Sequence, residues 1–306
     1  GVAGPEDIAI HPRTGIAYIS AYDRRAVLKG EETERGIYAY DTNKPNAKPK
    51  LLTTGPQKEF RPHGISLFIS PDGNDRLFVI NHANEHHTVE IYEVQPNALN
   101  HLKTVEDPQL ISPNDLVAVG PNQFYLTNDH RYRSGLMSTV ETYLKFRFAN
   151  IVYYDGKSFS VVAADFGYAN GINVSADGTK LYMAAVLDKT LYSFNRNVDT
   201  GALEANTELY LNSGLDNIDI DADGNLWIAS HPKLLSFLAH AGDPAKISPS
   251  QVFKISVNAE EKLSAEEVYL NEGEELSASS VASVFGNRML VGAVFDPKFL
   301  DCRLNE

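Results

Sequence analysis

Six times along this chain, at intervals of roughly fifty residues, polar residues stand directly before a short apolar run. Glu6-Asp7 leads into IAI, His63-Gly64 into ISLF, Asn114-Asp115 into LVAV, Asn170-Gly171 into INV, Asp216-Asn217 into IDI and Ser279-Ser280 into VASV. A period of about 40 to 50 residues belongs to a four-stranded propeller blade. If each start lies on an innermost strand, polar side chains far apart in sequence meet at one axis. The expected fold is all-β: a six-bladed β-propeller with four-stranded blades and short helical inserts on its top face, a single domain over residues 1–306.

Strand signals such as IAYIS, RLFVINH, VEIYEV, QFYLTND and NLWIASH support this, with Asp-Gly turns at 72–73, 177–178 and 223–224. Two segments break the pattern. STVETYLKFRFA (138–149) reads as an amphipathic helix packed on the top face. YDRRAVLKGEETERG (22–36) reads as a charged, mobile loop beside the first blade and a candidate lid. Asp219-Ile220-Asp221-Ala222-Asp223-Gly224 opens like a calcium loop, but Ser230 occupies the place of the bidentate glutamate, so a hairpin turn is expected.

The net charge of -13 argues against nucleic-acid binding, because a phosphate backbone would be repelled. No run approaches the roughly 18 apolar residues of a spanning helix. Cys302 is the lone cysteine, and Gly1-Val2-Ala3-Gly4 leads directly into the first repeat, so any targeting segment is expected to have been removed or never to have been there.

The axial residues suit a hard cation. Ca²⁺ accepts carboxylate and asparagine oxygens, whereas Zn²⁺ prefers nitrogen and sulfur. Each residue alone reads as a local cap; together, at repeat spacing, they read as a metal site. Neighbouring side chains on a strand point to opposite sides, so two ions are expected. Glu6, Asn114, Asn170, Asp216 and Asn217 would bind one near the mouth. Asp7, Asp115 and a main-chain carbonyl would hold a deeper one.

Of nine histidines, His63 and His82 fall where axial groups are expected and are candidates for a base and its helper. His130 and His231 end corresponding strands and are expected to line the same cavity, while His86, His87, His101 and His240 read as surface residues. No G-x-S-x-G elbow, H-E-x-x-H helix, Walker loop or dinucleotide fingerprint is present. That leaves water activated by histidine and a metal.

RPHGIS at 61–66, VINH at 79–82, PNDLVAVG at 113–120, FYLTNDH at 124–130, YANGINVSADG at 168–178, LDNIDID at 215–221, LWIASHP at 226–232 and SSVASVF at 279–285 resemble, in order and spacing, the serum paraoxonase family. The resemblance covers essentially the whole chain. It implies two axial calcium ions and hydrolysis of lactones, with aryl esters and some phosphotriesters as side substrates. By motif, the catalytic calcium falls to Glu6, Asn114, Asn170, Asp216 and Asn217, and the structural one to Asp7, Asp115 and the carbonyl of Ile65. His63 becomes the base and His82 its assistant. The family places a lipid-anchoring helix and a cysteine near its N-terminus. Here Cys302 matches only the second cysteine of the family's bridge, and the family implies a secreted or extracytoplasmic location. The charged Asp23-Arg24-Arg25 lid and the polar 138–149 insert argue against lipoprotein association.

Asp23, Asp129, His130, Tyr168, His231, Phe237, Ser280 and Phe295 are expected around a pocket for a small lactone or ester. Two other readings stay open: a gluconolactonase-like sugar lactonase, which a hydrophilic pocket would favour, and a non-catalytic, calcium-stabilised propeller that binds a partner.

Overall fold

The computed structural model describes every residue except 46, 54–59, 84–85, 133–145 and 305–306. Its strands form six antiparallel sheets in chain order. The first contains β1 (Pro5–Ile10), β2 (Ile16–Tyr22), β3 (Arg35–Asp41) and β4 (Lys50–Leu51); the second β5 (Pro62–Phe68), β6 (Arg76–His82), β7 (His87–Gln95) and β8 (Ala98–Glu106). The third holds β9 (Pro113–Gly120), β10 (Gln123–Asn128), β11 (Ala149–Tyr154) and β12 (Phe159–Phe166); the fourth β13 (Ala169–Val174), β14 (Lys180–Ala185), β15 (Thr190–Arg196) and β16 (Leu203–Tyr210). The fifth is β17 (Gly214–Ile220), β18 (Leu226–His231), β19 (Ser250–Val257) and β20 (Leu263–Asn271); the sixth is β21 (Ser279–Phe285), β22 (Arg288–Ala293) and β23 (Leu300–Arg303). The first strand of each sheet touches the first strand of the next, and β21 returns to β1. This is the expected six-bladed propeller, with three strands rather than four in the sixth blade among the described residues.

Period-2 alternation builds the core. Along β6, Leu77 and Val79 pack with first-blade residues such as Ile37, while Phe78 and Ile80 pack with third-blade residues such as Phe124. Each of the six apolar clusters bridges two neighbouring blades in this manner. Outer strands such as β8 and β16 are largely exposed and mix charged with apolar residues.

Near the axis, polar side chains join the blades instead. Asp7 accepts the Ile65 N–H at 2.6 Å, Ser66 the Ala118 N–H at 3.0 Å, Asp115 the Ile172 N–H at 2.8 Å and Asp219 the Val284 N–H at 3.3 Å. Asn173 donates to the Ile218 carbonyl at 2.9 Å, and Ser283 to the Ile8 carbonyl at 2.5 Å. Every junction of the ring carries such a bond. The Asn173 amide, within a formal glycosylation sequon, is thereby engaged.

All six inner strands also break register at the predicted polar start, for example between Pro5 and Asp7, Pro62 and Ile65, and Ala169 and Ile172. A bulge re-aims side chains, which is how adjacent residues such as Glu6 and Asp7 reach different cavities.

Two helices lie over the end where the inner strands begin. The 22–36 segment, expected as a mobile loop, contains α1 (Arg24–Leu28), because Asp23 accepts the Ala26 N–H at 2.9 Å as its N-cap. The second, α2 (Leu234–Gly242), follows β18. Arg25 ties them together through the carbonyls of His240 and Ala241. The helix expected at 138–149 falls mostly outside the described residues; Phe146 and Phe148 stack 5.2 Å apart just before β11. Among the described residues no helix is long and apolar enough to cross a membrane. The Asp219–Gly224 stretch is the expected hairpin turn, with Asp221 accepting the N–H groups of Asp223 and Asn225 at 2.9 Å.

Candidate active site

Two cavities lie at opposite ends of the inner strands. The one beneath the helices measures about 180 Å³, with Glu6, Asn114, Asn170 and Asp216 on its floor. His63, Tyr168 and His231 flank it, and Val186, Leu187, Leu234, Phe237, Leu238 and Val294 supply its apolar walls. The other, about 450 Å³, runs along the strands toward their far ends and contains Asp7, Asp115 and Asp219.

The floor is built from oriented amides. Asn217 donates to Glu6 Oε1 at 3.0 Å, Asn114 to Asp129 Oδ2 at 3.1 Å, and Asn170 to Asp216. Each asparagine thus gives its NH₂ to a carboxylate, leaving its carbonyl oxygen without a donor. Glu6 Oε2 and the Oδ1 atoms of Asn114, Asn170 and Asn217 are all buried with no hydrogen-bond partner. An unsatisfied buried acceptor costs about 1–3 kcal/mol, so four together are a strong departure from ordinary packing. Burial raises the pKa values of Glu6 and Asp216, against the opposing effects of Arg24 on Glu6 and of His231 on Asp216. Among the described residues no three His, Cys, Asp or Glu form a ligand set of their own; the asparagine oxygens make this floor fit a hard, oxygen-seeking cation.

In the second cavity, Asp7 and Asp115 each accept two backbone N–H groups, from Ile8 and Ile65 and from Leu116 and Ile172. Burial pushes both pKa values well up, and neighbouring carboxylates push them further. These crowded acids also fit a cation. Ile65, whose N–H meets Asp7, lines the same cavity.

His63 and His82 come together with ring centroids 4.8 Å apart. His63 Nδ1 is 2.9 Å from Arg24 Nη2 and 3.6 Å from Glu6 Oε2. Burial, followed by the Arg24 charge, lowers the His63 pKa to about 3. A guanidinium only donates, so the lone pair of neutral His63 lies on Nδ1, directed at Arg24 with Glu6 beside it.

Most remaining expectations gather around this centre. Tyr168 adopts a left-handed φ of 62° and meets His130 edge-on at 4.9 Å. Asp129 binds His130 at 2.7 Å and orients Asn114. His231 donates from Nε2 to Asp216 Oδ2 at 2.8 Å and packs on Phe237 at 4.3 Å. Three residues lie one layer back. Phe295 packs behind Phe237 at 6.0 Å, Ser280 bonds the Glu6 carbonyl at 2.6 Å, and Asp23 caps α1 instead of lining the cavity. Two histidines read as surface residues are not: His240 is buried with Nδ1 on the Lys246 carbonyl, and His87 contacts His82. The sequence reading missed Arg24, which is anchored by the carbonyls of Gly4 and Val294 and lies over the Tyr22 ring at 4.3 Å.

Fold and site together define a closed six-bladed propeller with a carboxylate and carboxamide centre on its axis, overhung by an apolar cavity. Residues 2–304 match the arylesterase family model. The chain is 36% identical over 98% of its length to chicken (Gallus gallus) serum paraoxonase/arylesterase 2, covering 86% of that protein. It is also 36% identical to human (Homo sapiens) serum paraoxonase/lactonase 3, over 99% of this chain and 86% of that one. This chain therefore belongs to the arylesterase family. Solved structures share the fold at low identity. A luciferin-regenerating enzyme aligns with a TM-score of 0.61 at 13% identity, covering 98% of this chain and 89% of that one, and a gluconolactonase from Xanthomonas campestris with 0.60 at 14%, covering 99% and 87%.

Proposed function

We propose that this protein is a calcium-dependent hydrolase of lactones and carboxylic esters, with aryl esters and phosphotriesters as secondary substrates. The observation that carries this reading is the pairing of four unpartnered buried oxygens with a small apolar cavity directly above them. The relatives named for arylesterase and lactonase activity agree with it. Apolar walls favour a lactone with a hydrocarbon substituent over a sugar lactone.

Glu6, Asn114, Asn170, Asp216 and Asn217 would hold one Ca²⁺, and Asp7 and Asp115 a second. Bound at the floor, Ca²⁺ supplies Lewis-acid polarisation of a carbonyl, worth several kcal/mol. His63 takes a proton from the attacking water at Nδ1, and His82 lies against its ring to receive charge. His231 fixes Asp216, Asp129 fixes Asn114, and Phe237 with its apolar neighbours excludes bulk water.

A panel of lactones varying in ring size and alkyl tail, run with Ca²⁺ and with chelator, tests this reading. Turnover of alkyl lactones that chelator abolishes and Ca²⁺ restores is expected. Tight calcium binding without turnover of any lactone or aryl ester would instead identify a binding module.

A further inference from the structure

His82 closes β6 and His87 opens β7, and the two are cross-strand partners. Their Nδ1 atoms lie 2.9 Å apart and their ring centroids 4.7 Å. Two ring nitrogens at this distance share one proton, with one donating while the other accepts. On its far side His87 lines a separate cavity of about 600 Å³ with His86, Glu106, Asp107 and Leu110. There His86 Nδ1 stands 3.7 Å from Glu106 Oε1, and both side chains are more than half exposed.

This arrangement answers a problem posed by the site. A substrate filling the cavity above His63 is enclosed by apolar walls and displaces the water through which the base would return its proton to solvent. Arg24 stands beside His63 Nδ1 on the same side. The titratable rings next in line run sideways, along the second blade from His63 through His82 to His87.

We infer that His87 is the outlet of a three-histidine relay carrying the proton of hydrolysis from the axial site to the side cavity. The inference rests on the hydrolytic reading above. Water gives a proton to His63 Nδ1 as its oxygen bonds to the acyl carbon, and His63 passes its Nε2 proton across the 4.8 Å between ring centroids to the bare Nε2 of His82. His82 releases its Nδ1 proton to His87 Nδ1, and His87 loses its Nε2 proton to solvent beside His86 and Glu106. One proton leaves, and nothing is oxidised or reduced. Glu6, Arg24 and Asp129 are the charged groups that face the first two rings from other blades, while His86, Glu106 and Asp107 surround the outlet. His87 is thus a relay residue that touches no substrate.

His87→Phe and His87→Gln are compared with the parent on an alkyl lactone, with imidazole buffer from low to high concentration. The expected result is a kcat about tenfold lower in both variants at unchanged KM, below the ~10²- to 10⁴-fold contribution of a positioned base, and restored by imidazole. A loss that buffer does not restore, or no loss, overturns the relay. Proton-coupled ¹⁵N spectra of the imidazoles in the parent protein decide the matter independently of turnover. One of the His82 and His87 Nδ1 atoms must carry a proton and the other none; two bare Nδ1 atoms sink the relay even in an active enzyme. A parent that turns over no ester or lactone counts against the hydrolytic reading instead, and the spectra still decide whether the proton path exists.

Discussion

Arg24 Nη2 lies 2.9 Å from His63 Nδ1, placing a permanent cation on the base's only lone pair. Gly4 and Val294 carbonyls hold the guanidinium at 3.2 Å each, so α1 is latched to the axis through this one side chain. Arg24→Met removes the positive charge but leaves the larger cause of the low His63 pKa, its burial. The His63 pKa is therefore expected to rise from about 3 by about 1. An NMR titration of the His63 ring in chelator checks this, and an unchanged midpoint would show that Arg24 does not act on the base.

Close approach of the inner strands predicts a different failure. A Cβ on Gly171 would stand 2.4 Å from the Asp216 carbonyl oxygen and 2.7 Å from the Asn217 Cα, both backbone atoms that cannot swing aside. Gly171→Ala is expected to cost about 1–3 kcal/mol by overpacking, read as a lower urea midpoint. Gly242→Ala, with nothing within 4 Å of the added methyl, is the control and should stay within about 0.5 kcal/mol of the parent.

Much of this architecture was legible because a propeller repeats. The starts at Glu6, His63, Asn114, Asn170, Asp216 and Ser279 mark the inner strands, and four of the five expected mouth ligands line one cavity. The bulges that turn Glu6 and Asp7 apart carry no residue signature, since Pro5, Pro62 and Ala169 flank them with equal ease. Arg24 was hidden because charge density in 22–36 reads as solvated loop, whereas the Asp23 cap folds that segment down onto the site. His87 was hidden because a polar neighbour such as His86 looks like surface, although pairing of β7 with β6 sets His87 directly opposite His82. Asp219 had a visible signal. It occupies the same place in its repeat as Ser66 and Asn173, and all three join neighbouring blades.

That place makes Asp219 a source of pH dependence. Burial raises its pKa to about 7, against the lowering effect of the Ile220 and Val284 amides. A carboxyl with a folded pKa above its unfolded value of 3.8 stabilises fully below about pH 4, and that contribution is lost as pH rises through 7. In chelator the parent is therefore expected to lose stability between about pH 4 and 7, on the order of 4 kcal/mol at most. Asp219→Asn should flatten this slope and be the more stable protein at pH 8. Urea unfolding at a series of pH values measures it, and parallel curves for the two proteins would remove Asp219 as the cause.

Asn170 offers the cleanest separation of metal binding from folding. Its NH₂ satisfies Asp216, while its own Oδ1 is buried with no partner. Asn170→Ala deletes one useful donor together with one unsatisfied acceptor, two effects of opposite sign and each about 1 kcal/mol or somewhat more. In chelator the variant should unfold close to the parent. With Ca²⁺ at a hundredfold excess over the parent's dissociation constant, the parent gains about 2.7 kcal/mol from binding alone. The variant, missing a ligand oxygen, should gain visibly less and require at least ~10-fold more Ca²⁺ for the same rise in melting temperature. Thermal unfolding across a calcium titration reads this directly, without any substrate. A variant that matches the parent at every calcium concentration would mean that the orphaned oxygens of the floor do not serve a cation.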